Sequence, residues 1–155
     1  MTAAIRNLPN TDNWEVLAQE GQSRSDLTGP FEQIKSSVDS KLLGQVNLFQ
    51  VGNKYVREGG SITLSSGYLA QHPMEGGAAI SLVNAALDAF AKAAAFELGS
   101  SLRVNTVSPR FVKETMEKMG MDSSSGISAT DTAKAYKYAV EISEFGQAFD
   151  VADYL

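Results

Sequence analysis

The sequence has 155 residues, 43% of them hydrophobic and 20% charged, which suits one compact domain that buries its own core. Thirteen Lys and Arg stand against eighteen Asp and Glu, a net charge of −5, so no nucleic-acid partner and no anionic membrane surface is expected. There is no cysteine, which excludes disulfides, thiolate metal sites and a thiol nucleophile and agrees with a reducing compartment.

The first residues, 1–11, read as an arm or short helix stopped by Pro9, and the core is expected to span 12–155. Met1–Asn10 lacks the basic and apolar blocks of a secretory leader, and no apolar run of about 20 residues stands out. The expected location is cytoplasmic. Trp14–Gln19 reads as a strand followed by a turn at Glu20-Gly21. From Phe31 to Val56 the apolar positions Ile34, Val38, Leu42, Val46 and Phe49 recur at helical spacing, and Glu58-Gly59-Gly60 closes the element. Ile62–Ser65 is a buried strand closed by Ser66-Gly67. An alanine-rich helix is predicted over Gly77–Leu98, with small side chains that let a second helix approach closely. Arg103–Val107 is a third strand, closed by Ser108-Pro109, and a short helix follows over Val112–Met119.

Met121–Ser128 is a Ser- and Gly-rich loop. Ser128 and Asp131 have the spacing of a capping box, opening a helix that runs to Ile142. Phe145–Val151 is the last strand. Strands alternating with crossover helices predict about four parallel strands with helices on both faces, a Rossmann-like α/β fold.

Three stretches carry a family likeness. Ser61–Gly67 is followed by the alanine-rich helix ending Ala-Phe-Glu-Leu, and then by Arg103-Val104-Asn105-Thr106-Val107-Ser108-Pro109. Together they resemble the second half of a short-chain dehydrogenase/reductase. Ala18-Gln19-Glu20-Gly21 is similar to the family's Asn-Asn-Ala-Gly turn, and Phe145-Gly146-Gln147 to its closing Thr-Gly-Gln. The likeness runs from Asp12 to Val151 and implies a shortened relative without the first three strands, which in the family hold the adenosine half of the cofactor.

The departures bear on activity. The family's Gly-x-x-x-Gly-x-Gly turn, where helix-terminal N–H groups receive the pyrophosphate, is not in the sequence. Gly59-Gly60 and Gly76-Gly77 have other spacings. No cofactor and no metal are therefore expected. In the family a Tyr-x-x-x-Lys pair on the second long helix supplies the proton and tunes its pKa. The resemblance places Ile80 at the tyrosine position and Asn84 at the lysine position, and neither does that chemistry. The resemblance puts Ser66 within one residue of the family's catalytic serine and Lys41 at its structural asparagine, and Arg110 replaces the glycine after Pro109.

Ser66, Lys41 and Tyr68 are the candidate reacting groups of a surviving cleft, with Gln19, His72, Asn84 and Arg110 as further lining residues. The plain alternatives are a surface loop for Tyr68 and His72, an outward or carboxylate-paired Lys41, and an ordinary helix hydrogen bond for Asn84. Ser66 with His72 lacks the Gly-x-Ser-x-Gly elbow of a hydrolase. Three functions stay open, in this order. The first is a non-catalytic descendant that binds a partner or small ligand. The second is a cofactor-independent isomerase, cyclase or lyase in the old cleft. The last is an unconventional NAD(P)-dependent reductase. The resemblance also implies a homodimer through the helices over 31–56 and 77–98.

Overall fold

A computed structural model describes residues 31–155. The predicted arm 1–11, the predicted strand Trp14–Gln19 and the candidate Gln19 lie outside the described residues. The described part is a three-stranded parallel sheet in the order β1 (Gly60–Ser65), β2 (Leu102–Ser108), β3 (Ala148–Asp150), with helices packed against it.

The first long helix, α1, spans 31–52, so it ends four residues earlier than its apolar spacing predicts. Asn53 begins a run of turns that carries Lys54 and Tyr55 outward, and Val56 packs on the core from an irregular segment. α1 is also not uniform. α-Helical Phe31–Ser37 and Gly44–Gly52 flank a π-helical stretch, Val38–Leu43. Such wide turns re-aim side chains and are frequent at functional positions. This one carries Lys41.

The alanine-rich helix, α2, is Ala78–Leu98 and ends where Gly99 adopts φ 56°, a left-handed conformation that favours glycine. It buries Ala79, Val83, Asn84, Leu87, Ala91, Ala94 and Ala95, one face at helical spacing. Val83, Leu87, Ala91 and Ala95 join Leu64, Leu102, Val104 and Phe49 in the larger core cluster, where Phe49 meets Phe90 edge-on. Contrary to the reading of the sequence, this stretch is long and apolar enough, by length and composition, to cross a membrane. Here it is the central helix packed on β2, with Val83, Leu87, Ala91 and Ala95 in the core.

A short helix, α3 (Lys113–Lys118), precedes α4 (Ala129–Glu141), which closes the other face through Ala135 and Ala139 against Val107, Phe149 and Val151. The N-cap half of the predicted box is present, since Asp131 N–H donates to Ser128 Oγ at 3.0 Å; the Asp131 carboxylate returns to the Ser128 hydroxyl, which donates to Oδ2 at 2.7 Å, and not to the backbone N–H of a full capping box. The last strand is shorter than predicted at both ends. Gly146 turns with φ 72°, and Asn105 holds the entry by donating to Glu144 O and accepting from Gln147 N–H. At the exit the Asp150 carboxylate accepts from Ala152 N–H at 2.9 Å and starts a 3-10 turn, Val151–Tyr154, in place of more strand.

Candidate functional site

In an open parallel sheet, ligands bind beyond the carboxyl ends of the strands. At that end of β1 the chain turns through Ser66 and Gly67, and two helices reach it. The π-helical stretch of α1 brings Lys41, whose Nζ donates to Ser66 O at 2.7 Å and to Asn84 Oδ1 at 2.6 Å. Asn84 comes from the buried face of α2 and is 2% exposed. Gly67 makes room for it: a Cβ there would sit 2.5 Å from Asn84 Nδ2. The amide nitrogen thus packs against Gly67 and the amide oxygen faces Lys41. One helical turn further on, Asp88 Oδ1 accepts from Thr106 Oγ1 at 2.6 Å.

Burial pushes the Lys41 ammonium down from the usual lysine value to about 8, and the negative charge of Asp88 offsets part of that fall. Gln45, one turn beyond Lys41 on α1, braces the same end of β1. Its amide donates to Ser65 O at 2.9 Å and accepts from Ser65 N–H at 2.8 Å, as a neighbouring strand would. Ser65 Oγ lies 2.6 Å from the Tyr136 hydroxyl of α4, whose pKa burial raises.

Ser66 takes part through its carbonyl. Its buried hydroxyl turns into the sheet and shares a hydrogen bond of 2.9 Å with Ser108 Oγ. Tyr68 belongs to a second cluster. It opens the 3-10 turn Tyr68–Ala70, its ring stacks on His72 with centroids 4.1 Å apart, and the Arg110 guanidinium lies 4.3 Å from the ring centroid. Arg110 is held from the far side of the sheet end by Asp150, with Nε–Oδ1 at 3.1 Å and Nη2–Oδ2 at 3.0 Å. Burial pushes the Asp150 carboxyl up. The hydrogen bonds from Arg110 and Ala152 and the Arg110 charge outweigh this and hold it below the usual carboxylate range.

The structure therefore sorts the candidates into two groups. Lys41, Asn84 and the Ser66 carbonyl meet; Tyr68, His72 and Arg110 form a stacked cluster beside them; Ile80 is half-buried on α2. Asp88, Gln45, Tyr136 and Asp150 escaped the reading of the sequence. Asp88 and Gln45 were within its reach, since each lies four residues from a candidate on the same helix face. Asp150 carried no such signal, standing 40 residues from Arg110. Among the described residues no group of three His, Asp or Glu side chains is placed to hold a metal ion.

A parallel sheet with a long alanine-rich helix against its centre, and a polar cluster at the strand ends, defines a Rossmann-like α/β protein. A family profile described as enoyl-(acyl carrier protein) reductase, of the short-chain alcohol dehydrogenase type, matches residues 18–151. The chain belongs to the short-chain dehydrogenase/reductase family. Protein lin1944 from Listeria innocua is similar in structure, with 32% sequence identity and a TM-score of 0.75 over 83% of this chain and 66% of that one. A small-chain dehydrogenase matches at 31% identity and TM-score 0.66, over 81% of this chain and 59% of its own. Another, solved in complex with NADPH, matches at 28% identity and TM-score 0.72, over 84% and 68%. The chain thus spans less than two thirds of the first two structures. No curated protein matches the sequence.

Proposed function

We propose that this chain binds a small ligand or a partner through the cleft at the carboxyl ends of β1 and β2, without tyrosine-dependent hydride transfer. One observation carries this reading. At the position where the family works with a tyrosine and a lysine on one helix stand Ile80 and Asn84, and the nearby cation comes from the other helix, as Lys41 bound to Asn84. Isoleucine has no proton to give, and an amide does not tune a neighbour's pKa as an ammonium does. The cytoplasm is the proposed location. A second copy of this chain is the proposed partner at the outer face of α2, where Leu82, Ala85, Ala89, Ala93 and Phe96 form an exposed apolar stripe.

A second reading, cofactor-independent acid–base chemistry, is favoured by the lowered pKa of Lys41. Against both stands the NADPH bound by a relative of 28% identity. Titration with NADPH, followed by its fluorescence and by calorimetry, separates them. The expected result is no saturable binding in the micromolar range. Saturable micromolar binding, with reduction of a carbonyl substrate, would replace the proposal by a nicotinamide-dependent reductase.

A further inference from the structure

An ammonium carries three protons, and the acceptors around Lys41 use two. Both partners, a peptide carbonyl and an amide oxygen, can only accept, so Lys41 donates to both in either protonation state. A neutral amine keeps two N–H groups, enough for both bonds. The proton that leaves is therefore the third one, and the lone pair it uncovers points away from Ser66 and Asn84. Among the described residues no acceptor occupies that third direction.

The same fixed frame sets the direction. Asn84 is 2% exposed and its amide fills the space that the missing side chain of Gly67 leaves, and Ser66 O belongs to the turn that Gln45 clamps at Ser65. The π-helical stretch of α1 aims the lysine stem into this frame. We propose that Lys41 Nζ is the group that exchanges a proton with a ligand oxygen in this cleft, in place of the tyrosine hydroxyl that Ile80 cannot supply. This rests on the reading that the cleft holds a small ligand. The ligand class is a molecule bearing a carbonyl or hydroxyl oxygen. In one direction the ammonium gives its third proton to that oxygen and becomes a neutral amine; in the other the amine takes the proton back. No electron changes hands and both anchoring hydrogen bonds persist throughout.

The charges around Nζ are few. Asp88 on α2 acts on it directly. Tyr136 on α4 reaches the same end of β1, with its hydroxyl engaged by Ser65. The site thus exchanges its proton near pH 8, where an ordinary lysine stays charged.

Competitive labelling of the folded full chain with acetic anhydride, read per lysine by mass spectrometry from about pH 6 to about pH 10, tests this without a ligand. The reference groups are Lys134 and Lys137, both exposed on α4. Lys41 is expected to label with a midpoint near 8, well below theirs. Asn84→Asp is expected to raise that midpoint and Asp88→Asn to lower it, so either variant serves if the other fails to fold. Lys41 left unlabelled while Lys134 and Lys137 react would mean that the third direction is closed, and would overturn the inference. A midpoint equal to theirs would overturn it as well. Neither result depends on the NADPH titration, so the two proposals fail separately.

Discussion

Lys41 and Asn84 face each other at 2.6 Å with the family's assignments exchanged: the cation sits on α1, where the resemblance places an asparagine, and the amide sits on α2, where it places the lysine. The exchange keeps one positive charge and one amide oxygen in contact at the carboxyl end of β1. It alters the helix from which the charge comes and the direction in which its spare proton points.

This pairing predicts strong coupling. Asn84→Lys alone sets a second ammonium beside Lys41 at a buried position and should cost about 3 kcal/mol or more. Lys41→Asn alone should cost about 1–3 kcal/mol, since two amides cannot satisfy both the Ser66 carbonyl and each other as the ammonium does. The double exchange should return to within about 1 kcal/mol of the starting chain. Urea denaturation of the four proteins measures the cycle. Additive losses would mean that the two side chains are independent.

The pH dependence follows from Lys41. Its pKa is about 8 in the folded chain and 10.5 when unfolded, so between those values the unfolded chain binds more protons. Stability should therefore rise with pH from about 8 upward, by on the order of 3 kcal/mol at most, less whatever solvent screening removes. Tyr136 acts in the opposite sense. Burial holds its proton on in the folded chain, so above about pH 10 its earlier ionisation in the unfolded chain lowers stability. Melting curves across this range should show the rise, and Lys41→Met should flatten it. A slope unchanged in that variant would place the titrating group elsewhere.

Gly67→Ala should be costly although its backbone is extended, since the new Cβ falls 2.5 Å from Asn84 Nδ2. The expected loss is about 1–3 kcal/mol. A rise in the Lys41 labelling midpoint is not expected, because the displaced amide oxygen leaves the ammonium with one acceptor fewer. Gly52→Ala, with nothing near the added carbon, is the control and should change stability little. Equal melting points for the two variants would show that Asn84 is free to move.

The apolar stripe on α2 predicts a dimer built around a two-fold axis. Light scattering should give twice the 16.6 kDa chain mass. Ala89→Arg, in the middle of the stripe, should give the monomer without loss of helix. A monomer in the starting chain at tens of micromolar, as a rough working concentration, would refute the interface. A dimer indifferent to Ala89→Arg would move it to another face.

The sequence by itself determined the alternation of strands and helices, because burial on one face imposes a period that can be counted. Val83, Leu87, Ala91 and Ala95 follow that count, while β2 is the near-continuous buried run of a parallel strand covered on both faces. Local chemistry was legible for the same reason. The Ser128–Asp131 box acts within four residues and needs no tertiary partner. Element ends were less so: α1 stops at Gly52 and β3 at Asp150 because of backbone turns and a side-chain cap that period alone does not register. Residue types were also enough for the resemblance to place Ile80 and Asn84 where the family has its tyrosine and lysine. What only the tertiary structure decided is which candidates meet. Lys41 and Asn84 are 43 residues apart and Arg110 and Asp150 are 40 apart, and nothing local links either pair. The π-helical stretch of α1 turned Lys41 inward, and the parallel register of β1 on β2 set Ser66 beside Ser108 and its hydroxyl away from the lysine. These are consequences of packing two helices against one sheet, where a side chain's direction depends on the whole frame around it.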